Sequence, residues 1–422
     1  MKTERLRIAM LIWSYWPGHE GGAERQCRKL IPHLAAQDLE LVVWTAWTRW
    51  SHRRRESPGD HEIVRFGGLV PILTAVRRGL DGLLARVFRG AAERSRSRAR
   101  GREALSFWLG LPLTVFARLS FLLGLGLWLR KPEHRPDVIH VQESSWLAGA
   151  AAFLARRHGI PVLAKTAIYP AWDVLGYDVP LRRTFSRARR NCRFVALAQY
   201  LADDLLANDI SPERIFLAPN GVEIPELTGE HPLSNDVLFV ANFSQSVEHK
   251  AFDVLLNAWN LVSKADPLAR LFLLGDGDRT QWEDMVQAMR LESSTNFPGW
   301  TPDPAEYYRR AALFVLPSRW EGMSNSLLEA QSWGLACVVS DVPGNRAVVE
   351  DGFNGLVVPA GDEQALAQAI LRLLADERLR EELGRNARQR MISRFSIGGV
   401  ARRLRGIYEQ LSPFPARGGR TA

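Results

Sequence analysis

Short apolar runs alternate with longer amphipathic ones along almost the whole chain. The short runs fall at residues 7–13, 39–45, 137–141, 161–164 and 193–197, and again at 237–241, 271–274, 313–316 and 337–340. Between them lie stretches whose apolar positions recur at helical spacing, at 23–37, 146–157, 252–264 and 362–376. A short continuous apolar run suits a strand covered on both faces. Its alternation with helices predicts parallel sheets of the doubly wound kind. Two such series predict two α/β domains, with a seam in the polar, proline-containing stretch 225–235. An amphipathic run at 398–411 predicts a closing helix, and the Pro/Gly/Arg-rich tail 412–422 reads as disordered.

One region breaks the alternation. Residues 70–104 are rich in arginine with scattered apolar positions, and 104–129 are strongly apolar. The length permits a membrane span. Arg118 near the centre, and the position inside the first strand–helix series, argue against one. The expectation is an interfacial or core helix.

Composition sharpens this in three ways. At 422 residues the chain exceeds what one core reaches, roughly 250–300 residues, which again asks for two domains. The net charge of +9 is unevenly spread. Residues 1–215 carry 34 basic against 20 acidic side chains, and the remainder 21 against 26. The excess concentrates in 49–135, with 18 basic and 7 acidic groups, a balance suited to an anionic surface or simply to a solvated face. Three scattered cysteines, Cys27, Cys192 and Cys337, show no metal or redox spacing and are expected reduced, in the cytosol. The opening residues 1–13 lead straight into the first core strand and do not read as a signal peptide.

The chemistry concentrates in the second series. The segment PSRWEGMSNSLLE (317–329) follows a strand, passes through a loop and opens a helix near 324–326. Ligands of open α/β sheets bind outside the carboxyl ends of strands, and helix N-termini attract anions. The loop offers backbone donors from Met323, Ser324 and Asn325 to a diphosphate, and two carboxylates, Glu321 and Glu329, to vicinal hydroxyls. The same letters also read as a plain capping box, Ser326 to Glu329, after a solvated loop. Upstream, Lys250 leads a helix where its ammonium suits a diphosphate, or merely lies on the surface. Gly275 and Gly277 end a strand in a turn that lets a ligand approach the backbone. Asp276 and Asp278 in that turn do not make a metal site. Residues 296–303, with Trp300 and Thr301, lie in a loop that can present backbone groups to a base.

Taken in order, these stretches resemble the retaining glycosyltransferases of the GT-B fold, family four. The matching pieces are Lys250 with FDVLLNAW, GDGD, FPGW, LPSRWEGMSNSLLEA and SDVPGNRAVVEDGFNGLVVPAGD, preceded by PGHEGGAERQ, PDVIHVQES and APNGVE. The likeness covers nearly everything except 67–135 and the tail. It implies two Rossmann-like domains facing a cleft, with the last helix crossing back. The first, 1–228, lies on the acceptor side and contains the insertion 67–135. The donor-binding domain is 229–396, followed by the crossing helix 397–411. The likeness also implies that Glu321 meets the donor sugar, Glu329 the ribose and Lys250 the diphosphate. Gly21 and Gly22 let the first loop approach the donor, and no metal or other cofactor is expected. The implied partners are a UDP- or GDP-sugar and a glycan or lipid-linked acceptor, together with an anionic membrane met by 49–135, and no nucleic acid. Two positions depart from the family. Asn242 stands where an arginine is usual, with Arg319 a candidate substitute. Gln142 replaces the second histidine of a His-x-His strand, followed by Glu143, which can partner a hydroxyl. These departures keep two alternatives open: a catalytically silent binding subunit of the same fold, and a sugar-nucleotide epimerase of that architecture.

Overall fold

The computed structural model describes residues 5–15, 21–77, 79, 96–168, 182–227, 234–243 and 248–412, with the backbone path alone for 96–110 and Arg182. Two compact units emerge. Unit 1 comprises Met1–Ala196, Leu201–Phe216 and Ala401–Ala422, and unit 2 comprises Leu197–Tyr200 and Leu217–Val400. The division thus falls at Leu217, upstream of the polar stretch 225–235. The final helix, Ile397–Leu411, starts in unit 2 and belongs to unit 1 from Ala401 onward. The expected disordered tail and the arginine-rich stretch 80–95 lie outside the described residues.

Unit 1 is built on a sheet of order β3-β4-β2-β1-β5-β6-β7-β8. Its strands are β1 (Arg7–Leu11), β2 (Glu40–Ala46), β3 (Arg55–Glu56), β4 (His61–Phe66), β5 (Val138–Val141), β6 (Val162–Thr166), β7 (Arg193–Ala196) and β8 (Ile215–Leu217). β4, β2, β1, β5, β6 and β7 pair in parallel, and β3 runs antiparallel on β4. β1, β5 and β6 bury nearly every side chain, as continuous apolar runs require when helices cover both faces. β4 was hidden in the sequence because HEIVRF mixes charge with apolar residues. Arg65 is buried there, paired with Glu56 and donating to the Arg53 carbonyl at 2.7 Å.

The apolar stretch 104–129 lies within one long helix, Arg96–Leu129. Ala117, Phe121, Leu125 and Leu129, four apart, form its buried stripe, and Phe121 packs against Trp13 and Phe66 with ring centroids 5.3 and 5.9 Å apart. The opposite stripe of Phe116, Leu119, Leu123 and Leu127 is 39–65% exposed. Leu111–Leu129 is long and apolar enough to cross a membrane by length and composition. Its arginine, Arg118, turns inward and stacks 4.7 Å over the Trp146 ring. One face of the helix therefore belongs to the core, and the other is an exposed apolar band.

Unit 2 contains β9 (Asp236–Val240), β10 (Arg270–Leu274), β11 (Thr295–Gly299), β12 (Leu313–Leu316), β13 (Ala336–Ser340) and β14 (Leu356–Val358) in the order β11-β10-β9-β12-β13-β14. Each neighbouring pair is parallel. The chain leaves β9 toward one edge and resumes at β12 on the other side. The carboxyl ends of β9 and β12 therefore bound the crevice where such sheets take ligands. The helix Phe252–Ala265 returns the chain from β9 to β10 and buries Trp259 completely, its ring N–H donating to Ser294 Oγ at 3.1 Å. Burying so large a ring stabilises by about 1.5–3 kcal/mol, and the satisfied N–H removes the offsetting penalty.

Candidate functional site

The two loops at this switch point carry the charged groups that the sequence singled out. Lys250 stands just before the helix Phe252–Ala265, and Glu321 lies in the loop that leaves β12. Lys250 Nζ meets Glu321 Oε2 at 2.5 Å, and each side chain is only 12% exposed. Ser318 Oγ donates to the same oxygen at 3.3 Å. The cation and the carboxylate, 71 residues apart, thus form one shielded pair at the mouth of the crevice. The Lys250 charge also helps burial hold the neighbouring His249 below its ordinary range.

Residues that the sequence reading passed over hold this loop in shape. Tyr200 donates its hydroxyl to the Gly322 carbonyl at 2.9 Å. Ser340 Oγ donates to the Ser318 carbonyl at 2.5 Å, and Asn345 Nδ2 to the Ser340 carbonyl at 3.0 Å. Gly344 lies directly against the loop. A Cβ there would stand 2.1 Å from the Gly322 oxygen and 2.2 Å from the Glu321 oxygen, so a side chain would push Glu321 away from Lys250. Gly344 sits in the quoted stretch SDVPGN, and Asn220 in APNGVE, so both had a local signal. Ser318 likewise lies in the quoted segment 317–329, whereas Tyr200 had no signal, because its use depends on a fold contact.

The helix Asn325–Ser332 begins where expected, but its cap differs from the capping-box reading. Ser324 is the N-cap, its Oγ accepting from the Leu327 N–H at 3.4 Å, while Ser326 bonds to Ser324. Glu329 is too far along the helix to close a box. Its Oε2 accepts instead from the hydroxyl of Tyr308, a residue 1% exposed. Asn325 Oδ1 accepts from Asn220 Nδ2 at 3.0 Å. The N–H groups of Asn325 and Ser326 have no intrahelical carbonyl to reach, so this end is an anion-attracting terminus. Met323 and Ser324 are buried beside it.

Arg319 stands beside the same loops. Its guanidinium binds Asp253 in a two-pronged pair at 2.9 and 2.6 Å and donates to the Glu248 carbonyl at 2.9 Å. This pairing raises Arg319 and lowers Asp253 from their ordinary ranges. Arg319 thus has a carboxylate partner of its own, while Asn242, where an arginine was expected, is half-buried at the exit of β9. The glycine turn after β10 packs on that same exit. A Cβ at Gly275 would stand 1.7 Å from the Ala241 oxygen, and Gly277 adopts φ 114°. Asp276 and Asp278 spend their carboxylates on the N–H groups of Gly277 and Thr280. Among the described residues, no group of three or more His, Cys, Asp or Glu could hold a metal. Trp300 is 58% exposed, and Thr301 donates to the Asp303 carbonyl.

In unit 1, Gly21 caps the helix Gly22–Ala35 and donates its N–H to Glu24 Oε2 at 2.9 Å. Gln142 is buried after β5, its amide nitrogen 4.0 Å from Met10 Sδ. Burial raises the Glu143 carboxyl, against the Ser145 hydrogen bond and the Arg118 charge, which lower it.

Removing the Tyr308 hydroxyl tests the Glu329 assignment. Tyr308→Phe leaves the ring buried but removes one donor from the carboxylate, so the KM for a nucleotide-sugar is expected to rise about tenfold, the worth of one hydrogen bond to a charged group, with kcat little changed. Steady-state kinetics with the donor varied decides it. An unchanged KM would separate Glu329 from donor binding.

Residues 21–221 match the family described as glycosyl transferase 4-like domain, and residues 234–376 the family described as glycosyl transferases group 1. A capsular polysaccharide biosynthesis glycosyltransferase of Staphylococcus aureus is 24% identical over 51% of this chain and 60% of its own length. A galactosyltransferase of Escherichia coli acting on GlcNAc-diphosphoundecaprenol is 32% identical over 28% of this chain and 31% of its own. A phosphatidyl-myo-inositol mannosyltransferase of Mycobacterium leprae is 32% identical over 46% and 53%. The chain thus spans less than two thirds of the length of these curated relatives. Among solved structures, the fold matches sucrose-phosphate synthase from Thermosynechococcus elongatus with a TM-score of 0.71, at 22% identity, over 96% of this chain and 99% of that one. It also matches Anabaena HepE in complex with UDP-glucose with a TM-score of 0.67, at 16% identity, over 96% and 100%.

Proposed function

The chain belongs to the glycosyl transferases group 1 family, with the GT-B fold of two parallel-sheet α/β units, and on that premise we propose that it is a retaining glycosyltransferase. It moves a hexose from a UDP- or GDP-sugar to a hydroxyl of a glycan or lipid-linked acceptor, in cell-surface polysaccharide or glycolipid synthesis. The observation that carries the reading is the shielded Lys250–Glu321 pair at the switch point of unit 2, beside the N-terminus of the helix Asn325–Ser332. A cation and a carboxylate that neutralise each other there are matched to a ligand with both a diphosphate and hydroxyl groups.

On binding, Lys250 turns from Glu321 to the diphosphate, and Glu321 accepts hydrogen bonds from the sugar hydroxyls. Glu329 accepts from the ribose. The bond between sugar C1 and the diphosphate oxygen breaks, and its electron pair leaves with the diphosphate. Lys250 and the N–H groups at the helix N-terminus stabilise that charge. The acceptor oxygen bonds to C1 on the departing face and passes its proton to the leaving diphosphate, so the configuration at C1 is retained. Lysine and helix terminus together supply the positive charge this step needs, and the reaction calls for no metal.

Thermal unfolding with UDP, GDP and ADP tests the donor reading. UDP or GDP at about 100 times its Kd is expected to add roughly 2.7 kcal/mol, a rise of several degrees in Tm. No rise with any of the three would overturn it.

The protein works at the cytoplasmic face of a membrane, docked through the exposed band Phe116, Leu119, Leu123 and Leu127 and the basic excess of 49–135. An apolar stripe flanked by arginine is suited to an anionic bilayer surface. In a flotation assay the protein is expected to rise with vesicles containing anionic lipid and to lose that association in high salt. Equal recovery with neutral and anionic vesicles would overturn electrostatic docking.

A further inference from the structure

Three polar side chains of unit 1 are buried with fewer partners than burial normally demands. His140 is 2% exposed. Its Nδ1 meets the Tyr408 hydroxyl at 2.6 Å, but its Nε2 has no hydrogen-bond partner. Gln142 is 3% exposed, and its amide nitrogen has only the Met10 sulfur at 4.0 Å. Lys165, 7% exposed, makes no hydrogen bond or ion pair among the described residues. Buried polar groups are ordinarily satisfied, and a buried ammonium without a counterion costs several kcal/mol. Unit 2 shows the ordinary case, where Asn354 donates to Gln331 Oε1 and Gln331 back to the Asn354 carbonyl.

The three unsatisfied groups stand together. His140 pairs in register with Met10 of β1 and Leu163 of β6. Side chains two residues apart share a face of a strand, so His140, Gln142 and Lys165 project on one face, with Gln142 and Lys165 at the carboxyl ends of their strands. β1 and β5 are also where the order of this sheet reverses, β2-β1 to one side and β5-β6 to the other. This is the position at which open α/β sheets take ligands. Among the described residues, no carboxylate forms an ion pair with Lys165. Burial holds the Cys27 thiol up at about 12, so it stays neutral, and Lys165 helps burial keep His140 down at about 3, also neutral. Burial pulls Lys165 down to about 8, opposed by the neighbouring Cys27, and leaves it still largely charged near neutral pH.

We propose that Lys165, with Gln142 beside it, forms an anion-binding site of unit 1 that takes a phosphate or carboxylate group of the acceptor. This rests on the reading above in that unit 1 serves the acceptor. It adds that the acceptor is anionic close to the hydroxyl that reacts. The lysine's ammonium supplies the charge and the Gln142 amide a directed hydrogen bond. The burial that is costly in the empty site strengthens both once the anion is bound.

The test compares Lys250→Ala with Lys250→Ala/Lys165→Met by thermal unfolding in inorganic pyrophosphate and in glucuronate. Lys250 is removed to weaken anion binding in unit 2, and whatever the helix N-terminus there still holds is common to the two proteins. Either anion is expected to raise the Tm of Lys250→Ala by roughly 2–5 °C, and the second substitution to abolish most of that rise. A larger response to pyrophosphate identifies a phosphate-bearing acceptor, and a larger response to glucuronate an acidic sugar. Equal rises in the two proteins, or none in either, would overturn the proposal. Lys165→Gln in the same background repeats the comparison should methionine disturb the core. UDP added to the single variant Lys165→Met keeps the two readings apart. A retained UDP shift shows unit 2 intact, so that a missing anion response counts against this site alone. Missing UDP and GDP shifts in wild type, with the anion response present, count against the donor reading alone.

Discussion

Glu321→Gln is expected to lower transfer about 10²–10³-fold while leaving nucleoside diphosphate binding as strong as before or stronger. The carboxylate now divides its accepting capacity between Lys250 at 2.5 Å and Ser318 at 3.3 Å. In the working complex it holds the sugar hydroxyls, and a neutral amide, which presents only one accepting oxygen, does this poorly. The amide also cannot retain the lysine, so Lys250 reaches a diphosphate without first leaving a counterion. Initial rates with a nucleotide-sugar and titration with UDP or GDP read the two effects separately. The opposite signs are the informative part. A substitution that merely disordered the loop would weaken both. Unchanged turnover would remove Glu321 from the site.

Lys250→Met is expected to do the reverse to binding. It removes the point charge from the leaving diphosphate, so UDP or GDP affinity falls at least tenfold and kcat falls with it by about 10²–10³-fold. It also leaves Glu321, 12% exposed, with a largely desolvated charge and, among the described residues, Ser318 as its remaining side-chain donor. Breaking one side of a shielded pair costs about 3–5 kcal/mol at most, whereas removing both sides costs less. Lys250→Met alone should therefore unfold at a lower temperature than the double variant with Glu321→Gln, and a double-mutant cycle on Tm measures the coupling. If the two losses of stability simply added, the ion pair would contribute nothing to the fold. An unchanged nucleotide affinity would show that the diphosphate lies elsewhere.

Much of this architecture was legible in the letters because its signals are local. A fully buried parallel strand must be apolar at every position. The runs at 313–316 and 237–241 therefore matched β12 and β9 to within a residue. β4 escaped because Arg65 is buried within it, and only the fold supplies Glu56 and the Arg53 carbonyl that make this tolerable. The long apolar stretch was read as an interfacial or core helix, without a choice between them. Its division into a buried and an exposed stripe depends on Phe66 and Trp13, which lie far away in sequence.

The site divides in the same way. By itself the sequence determined two strand–helix series, a loop carrying Glu321 ahead of a helix, and a lysine ahead of another. Patterns of burial, caps and turns act over a few residues, and a chain of letters records them directly. Only the tertiary structure decided which groups meet. It paired Lys250 with Glu321, tied Arg319 to Asp253 and aimed Tyr308 at Glu329. It pressed Gly344 against the Glu321 loop and left Lys165 buried beside Gln142 without a counterion. Each of these depends on distances of a few ångströms between residues brought together by strand order and crossover. The electrostatic and steric terms that set their roles fall off over those same few ångströms, so the local spacing of the chain does not encode them.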